Sequence, residues 1–345
     1  MTQIGIIGGG NISETHARAA QEIGGVGIAA VYGNNHDKAA RLAQLYGGTV
    51  YENLEALLEH KPLDMVMIGS PSGLHAEQGI AAARRGLHVL VEKPIDITTA
   101  TADLLINECE TAGVKLGVCF QDRVAPDIVR LKELVDAGRL GKPFLVSGRV
   151  KWYRQPEYYR DSRWRGTFAL DGGGALINQG VHTVDLLLWL MGDVARVKAK
   201  AITALHDIEV EDTVVAALEF ANGAIGTLEA TTSVYPGYPR RIELTGSEGT
   251  IILEDNQIVA ADLRNGVVDL VRPEPGDQQE STNARSTSPV VSDVSGHKKI
   301  LEDFLRAIET DGQPICNGYE GRRSVELVQA IYESSRTGAP VTLGP

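Results

Sequence analysis

At 345 residues the chain is too long for one ordinary hydrophobic core and long enough for two domains. With 43% hydrophobic and 23% charged residues it fits neither a disordered nor a fibrous class, and a formal charge of -12 argues against nucleic acid or an anionic membrane surface as its main partner. Cys109, Cys119 and Cys316 lack the spacing of a disulfide framework or zinc knuckle, Gln3–Ile7 runs into glycines without a secretion signal, and the apolar run 186–191 is far short of the roughly 20 residues of a membrane span, so reduced thiols in a cytoplasmic protein are expected.

From the first residue to about Asp122, short β-branched runs alternate with longer amphipathic stretches. Strands are predicted at 4–7, 27–31, 65–68, 88–91 and 115–118, with helices at 37–46 and 74–85 closed by Gly47-Gly48 and Gly86. That alternation is the βαβ signature of a doubly wound parallel sheet. Beyond Val124 the pattern changes. A helix at 126–137, a strand at 143–153 and a helix at 174–190 precede six strand candidates, at 194–205, 213–220, 224–232, 241–245, 250–253 and 258–262. Asn222-Gly223 is a strong hairpin signal between two of them. The stretch 273–295, rich in Ser, Pro, Gln and Asp, reads as a loop, and helices resume at 297–309 and 320–336. The expected fold is therefore α/β followed by α+β: residues 1–122 form a Rossmann dinucleotide-binding domain, and residues 123–345 form a substrate-binding and oligomerisation domain with a large, mainly antiparallel open sheet.

The first strand leads into Gly8-Gly9-Gly10-Asn11-Ile12-Ser13 and a helix, the context a dinucleotide fingerprint requires. Gly8 permits the tight turn, Gly10 lets backbone approach a pyrophosphate, and the helix end offers its amides; Ser13 stands in place of the third glycine. Sites that hold NAD usually carry Asp or Glu at the end of the second strand, for the ribose hydroxyl. Here that end reads Tyr32-Gly33-Asn34-Asn35, with Lys38 and Arg41 just beyond, which favours NADP over NAD; the alternative for the two cations is a solvated helix face. Glu92-Lys93-Pro94 closes the strand at 88–91, at the sheet end where ligands bind in this architecture, and Pro94 restricts Lys93 to extended backbone. A cis peptide is one option there.

These motifs, with Ser70-Pro71-Ser72-Gly73-Leu74-His75 and with Gly172-Gly173-Gly174 leading to Asn178 and His182, resemble the glucose-fructose oxidoreductase, inositol dehydrogenase and MocA family (Gfo/Idh/MocA) over essentially the whole chain. The resemblance implies that Lys93 lies beside the nicotinamide and the substrate hydroxyl. It also implies that Ser70, Pro71, His75 and Glu92 belong to the cofactor side together with Gln121, that Arg123 lies on the substrate side, and that Trp164 and Arg165 approach the nicotinamide end. Many members have Asp where this chain has Asn178. The amide can orient by hydrogen bonding but carries no charge, so His182 becomes the better proton acceptor or donor and Asn178 a positioning group.

On a continuous helix Asn178, His182 and Asp185 share one face, with the three glycines before them letting backbone approach a ligand and Asp185 serving packing as readily as chemistry. His182 and Asp185 supply too few ligands for a catalytic zinc, so no metal is expected. The segment 151–166, containing Tyr153, concentrates aromatic and Arg side chains suited to a sugar's apolar face and hydroxyl rim. The expected activity is hydride transfer between NADP or NAD and a secondary alcohol or ketone carbon of a sugar, cyclitol or sugar derivative, in a homodimer or homotetramer built through the second sheet. Two rivals stand beside it: an NAD-dependent glycosidase working by transient ring-carbon oxidation and elimination, and a non-catalytic dinucleotide-binding sensor.

Overall fold

Ile4, Ile6 and Ile7 are wholly buried in the first strand, and Met65 to Ile68 form a strand with no exposed face. Strands this apolar belong in the middle of a parallel sheet covered on both sides by helices. The computed structural model, which describes residues 1–266, 268 and 293–344, places them there. The strands β1 (Thr2–Ile7), β2 (Val26–Tyr32), β3 (Thr49–Tyr51), β4 (Met65–Ile68), β5 (His88–Glu92) and β6 (Leu116–Cys119) pair in parallel in the order β3-β2-β1-β4-β5-β6. Helices α1 (Asn11–Gln21), α2 (His36–Tyr46), α3 (Leu54–Leu58), α4 (His75–Ala83) and α5 (Thr99–Ala112) connect them. The strand order reverses between β1 and β4, so the turn after β1 opens at the point where such sheets bind dinucleotides. Strand β3, only three residues long, gives no readable period in the sequence.

The second sheet has eight strands. After α6 (Pro126–Asp136) come β7 (Pro143–Lys151), the short α7 (Glu157–Arg160), a π-helical turn at Leu176–Gly180 and α8 (Val181–Met191). The strands β8 (Val194–Ile202), β9 (Thr213–Phe220), β10 (Ile225–Thr231), β11 (Arg241–Gly246), β12 (Gly249–Glu254) and β13 (Gln257–Leu263) follow. The chain ends with α9 (Ser295–Glu309), α10 (Gly318–Thr337) and β14 (Val341–Thr342). The sheet order is β13-β12-β11-β7-β10-β9-β8-β14, antiparallel throughout except for the β7–β10 pair. Strand β9 alternates strictly, with Val214, Ala216, Leu218 and Phe220 buried against α8 and its neighbours and Val215 on the open face. Among the described residues no helix is long and apolar enough to cross a membrane.

The chain divides into two units, Met1–Gln121 with Val290–Val325 and Asp122–Pro289 with Glu326–Pro345. This corrects the expectation of one continuous domain over 123–345. Helix α9 returns to the first unit, where it packs on α1, β5 and β6; its buried His297, Ile300, Leu301 and Phe304 find their complement there. The expected loop at 273–295 lies outside the described residues up to position 292.

The glycines before α8 have a different cause from the one the sequence suggests. A Cβ on Gly174 would stand 1.7 Å from the Glu211 carbonyl oxygen, and one on Gly173 would stand 2.1 Å from the Tyr332 hydroxyl. The close approach is to the protein's own chain. Gly174→Ala is therefore expected to lower the thermal midpoint sharply, or to prevent folding, as read by circular dichroism melting; an unchanged midpoint would disprove this packing.

Candidate active site

In the first unit, the turn after β1 is built for close approach. Gly8 has φ +129°, and a Cβ there would meet the Ser13 hydroxyl at 2.5 Å and the Gly69 carbonyl at 2.7 Å. Ser13, in the third-glycine position, is buried, and its hydroxyl donates to Gly69 O at 3.5 Å. A Cβ on Gly10 would meet nothing within 4 Å, and α1 starts at Gly10 without a side-chain cap. Open space over uncapped amides at a helix start, where Asn11 and Ile12 lie, suits a pyrophosphate. Gly33, at the end of β2, backs onto Gly8 and Gly9, where a Cβ would stand 3.1 Å from Gly9 N. Asn34 accepts from the Tyr32 hydroxyl at 2.8 Å, and Asn35 caps α2 by accepting from Lys38 N at 3.0 Å. Lys38 is exposed in the first turn of α2, beside Asp37. Gln121 leaves a buried Oε1 with no hydrogen-bond partner, an acceptor that a cofactor donor would satisfy. These residues fit a dinucleotide.

Lys93 follows β5, and its peptide bond to Pro94 is cis. Its backbone N–H donates to Glu92 Oε2 at 3.2 Å. The other carboxylate oxygen of Glu92, Oε1, lies 2.6 Å from His16 Nε2 of α1 and 3.4 Å from His297 Nε2 of α9, and all three residues are buried. Burial alone would raise the Glu92 carboxyl, but the His16 hydrogen bond and the nearness of both histidines hold it well below the usual carboxylate range. The trio has the composition of a metal site. The 2.6 Å contact is nevertheless a hydrogen bond, shorter than the separation of about 3.3 Å that two ligands on one tetrahedral zinc would keep. Glu92 thus faces inward and anchors Lys93. Burial, with Glu92 adding to it, pushes the nearby Cys119 thiol well above its ordinary value, and all three cysteines are free and buried.

His75 is also internal. Its Nδ1 lies 2.8 Å from Pro94 O and its Nε2 2.9 Å from Ser70 O, so it ties the Ser70–His75 loop to the lysine turn; burial lowers its pKa. Ser70 itself donates to Gln78 at 2.6 Å, and Pro71 precedes a single 3-10 turn at Ser72–Leu74. Asp96 Oδ2 accepts from Ala76 N at 2.9 Å across the same junction.

In the second unit, the π-helical turn alters the expected face. Asn178 lies in the wide turn and His182 and Asp185 in α8, and each has its own partner. Asn178 donates from Nδ2 to Asp171 Oδ1 at 2.8 Å, and its Oδ1 accepts from Gln179 Nε2 at 3.1 Å. His182 Nδ1 lies 3.6 Å from Asp122 Oδ2. Asp185 receives two bonds from Arg123, at 2.6 and 2.8 Å, with both side chains 1% exposed. A charge pair this buried holds helix and turn together. Arg165 stacks over Tyr158 and Trp164 with its guanidinium carbon 4.4 and 5.1 Å from the ring centroids, and Arg154 lies between Trp152 and Tyr158. The rings of Tyr153 and Tyr235 meet edge-on, with centroids 5.3 Å apart.

The partners His16, His297, Asp122 and Asp171 were not legible as site residues. His16 lies on the buried face of the helix after the glycine loop, which was the one available signal.

Known proteins identify the family. Residues 2–120 match the profile described as "Oxidoreductase family, NAD-binding Rossmann fold", and residues 128–252 match the GFO/IDH/MocA C-terminal domain. The chain is 30% identical to the D-xylose 1-dehydrogenase (NADP(+)) 2 of Haloferax volcanii, over 98% of this chain and 99% of that one. It is 26% identical to the myo-inositol 2-dehydrogenase of Thermotoga maritima, over 96% of each. Its fold superposes with a TM-score of 0.87 on the WlbA dehydrogenase of Bordetella pertussis, a structure in complex with NADH and UDP-GlcNAcA, at 31% identity over 100% of this chain and 98% of that one. The chain belongs to the Gfo/Idh/MocA family of NAD(P)-dependent oxidoreductases.

Ahead of α8, buried Glu211 accepts from Gly174 N at 2.9 Å, Leu176 N at 2.8 Å and the Tyr332 hydroxyl at 3.0 Å. Burial pushes its carboxyl from 4.5 up to about 7, with these donors limiting the rise. A carboxyl raised on folding contributes stability that is complete below pH 4.5 and lost as pH rises through 7. Wild-type protein should therefore lose thermal stability across that window relative to Glu211→Gln. Parallel midpoint-against-pH curves for the two proteins would refute the raised pKa.

Proposed function

We propose that the protein interconverts a secondary alcohol and a ketone on a sugar, a cyclitol or a sugar derivative. Lys93 and His182 handle the proton, and NADP is preferred over NAD. The observation that carries the reading is the buried Glu92–His16 contact, which sets Lys93 at the end of β5 in the strand order of a dinucleotide-binding sheet. The nicotinamide, when bound, supplies the two-electron chemistry by taking or giving a hydride at C4.

In the oxidation direction, the carbinol C–H leaves as hydride and its O–H proton passes to the imidazole of His182, leaving a ketone and an imidazolium. The imidazolium returns its proton to solvent. Lys93 as ammonium favours the alkoxide that develops on the reacting oxygen. Asn178, oriented by Asp171 and Gln179, positions substrate. Arg123, committed to Asp185, supports the site from within, and Tyr153 with the stacked Trp164 and Arg165 offers the apolar and cationic wall a hydroxylated ring needs. The substrates named for the relatives, xylose and inositol, and the nucleotide-linked sugar acid held by the Bordetella structure support this class.

The preference for NADP rests on the end of β2, where Gly33, Asn34 and Asn35 offer no carboxylate, and on the exposed Lys38 beyond it in α2, next to Asp37. The exposed Leu145, Val215 and Ile225 of the second sheet support a homo-oligomer formed through that face, and a cytoplasmic setting fits free cysteines.

A screen of sugars and cyclitols with NAD and NADP, following reduced cofactor, tests the whole reading. Stoichiometric reduction that Lys93→Ala lowers by about 10²-fold or more is the expected result. Release of an aglycone without net reduction would instead indicate the glycosidase. Biological activity unchanged in Lys93→Ala would indicate a sensor, and tighter binding of NAD than NADP would reverse the cofactor preference.

A further inference from the structure

Asn178 is an amide, already committed to Asp171 and Gln179, and brings His182 no negative charge. A histidine that must gain and lose a proton while nine-tenths buried needs charge compensation, because burial disfavours the imidazolium. The second unit provides it from another element. Asp122, 4% exposed on the 3-10 turn after β6, places Oδ2 3.6 Å from His182 Nδ1. The same oxygen accepts from Arg240 Nη1 at 2.5 Å, and Oδ1 accepts from Asn256 Nδ2 at 3.1 Å. Arg240 is in turn held by Asp255 O at 3.0 Å and by Asn256 Oδ1, so the carboxylate sits on a rigid mount at the β12–β13 hairpin.

We propose that Asp122 is the positioning residue that supplies the charge compensation His182 needs. It directs Nδ1 of His182 toward itself, leaves proton exchange with substrate to Nε2, and stabilises the imidazolium formed on alcohol oxidation. Arg240 sets the strength of the effect. Paired with Asp122, it offsets part of the negative charge that His182 meets, which keeps the histidine able to release its proton near neutral pH. One turn along α8 from His182 lies the Arg123–Asp185 pair, which is internally neutral. The proposal rests on that reading for its role in catalysis, but not for its electrostatics.

The experiment is histidine titration by ¹⁵N NMR on selectively labelled protein, with His182 assigned from the resonance lost in His182→Gln. In wild type the neutral ring should be mainly the Nδ1–H tautomer. Asp122→Asn should lower the His182 titration by about one pH unit or more and weaken that tautomer preference, because Arg240 is left facing the ring. Arg240→Gln should raise it. Because a buried charge left alone destabilises a fold, the double variant Asp122→Asn/Arg240→Gln, which removes both charges, is measured as well. Its titration should fall below wild type and above Asp122→Asn. The acid limb of the kcat/KM profile should shift in the same order, with activity near pH 7 reduced about tenfold in Asp122→Asn.

A His182 titration and tautomer unchanged between wild type and the double variant, with both folded, would overturn the proposal. If His182→Gln keeps wild-type kcat/KM while the order of titrations holds, Asp122 controls His182 as inferred and the acid–base role given to His182 is what fails.

Discussion

A single buried carboxylate organises the first unit. Glu92 brings together His16 from the helix after the glycine loop, His297 from a helix some 200 residues later in the chain, and the backbone N–H of Lys93. Burying a carboxylate is costly unless donors surround it, and removing one partner would leave the charge uncompensated. The helix after the glycine loop, the strand end that carries the lysine and the returning α9 therefore meet at one carboxylate, in addition to their apolar packing. His75, between the carbonyls of Ser70 and Pro94, and Asp96, on the first turn of α4, extend the arrangement to the neighbouring loop. Residues that family resemblance assigns to the cofactor side thus divide into two kinds: backbone and side chains at the open Gly10 turn, and an inner layer that keeps the lysine turn still.

The second unit solves the same problem with two adjacent residues of opposite charge. Asp122 approaches His182, and Arg123 grips Asp185 three residues further on. One short turn thereby grips α8 through Asp185 and brings a carboxylate to within 3.6 Å of its histidine. At the other end, Glu211 accepts the amides of Gly174 and Leu176, which a helix start would otherwise leave unpaired, and the close passage of residue 211 explains why glycine is needed before it. The π-helical turn falls between these anchors. Such turns recur at functional sites because they realign side chains without ending the helix, and here the turn carries Asn178.

The order of strands and helices, the glycine turn and the lysine at a strand end were legible because each is a local property. Runs such as 65–68 are too short for an ordinary helix and apolar throughout, as buried strands are, Thr213–Phe220 alternates at the period of a half-exposed strand, and a Gly-rich turn between strand and helix has one common use. The three-residue β3 was not legible, being too short for any period. The return of α9 was not legible either, because an amphipathic helix shows that it has a buried face without naming what covers it.

Charge partnerships are where the tertiary structure decided. Asn178, His182 and Asp185 were visible as a spaced set in the sequence, and an unbroken helix would have placed them together. Their actual partners, Asp171, Asp122 and Arg123, lie from 7 to 62 residues away along the chain. Hydrogen bonds and ion pairs depend on distances of about 3 Å between side-chain atoms, and only the packing of strands and helices sets such distances across the chain. The sequence alone determined the class of fold, the glycine turn after the first strand and the lysine at a strand end. The structure determined what holds that lysine in place and which carboxylate His182 meets.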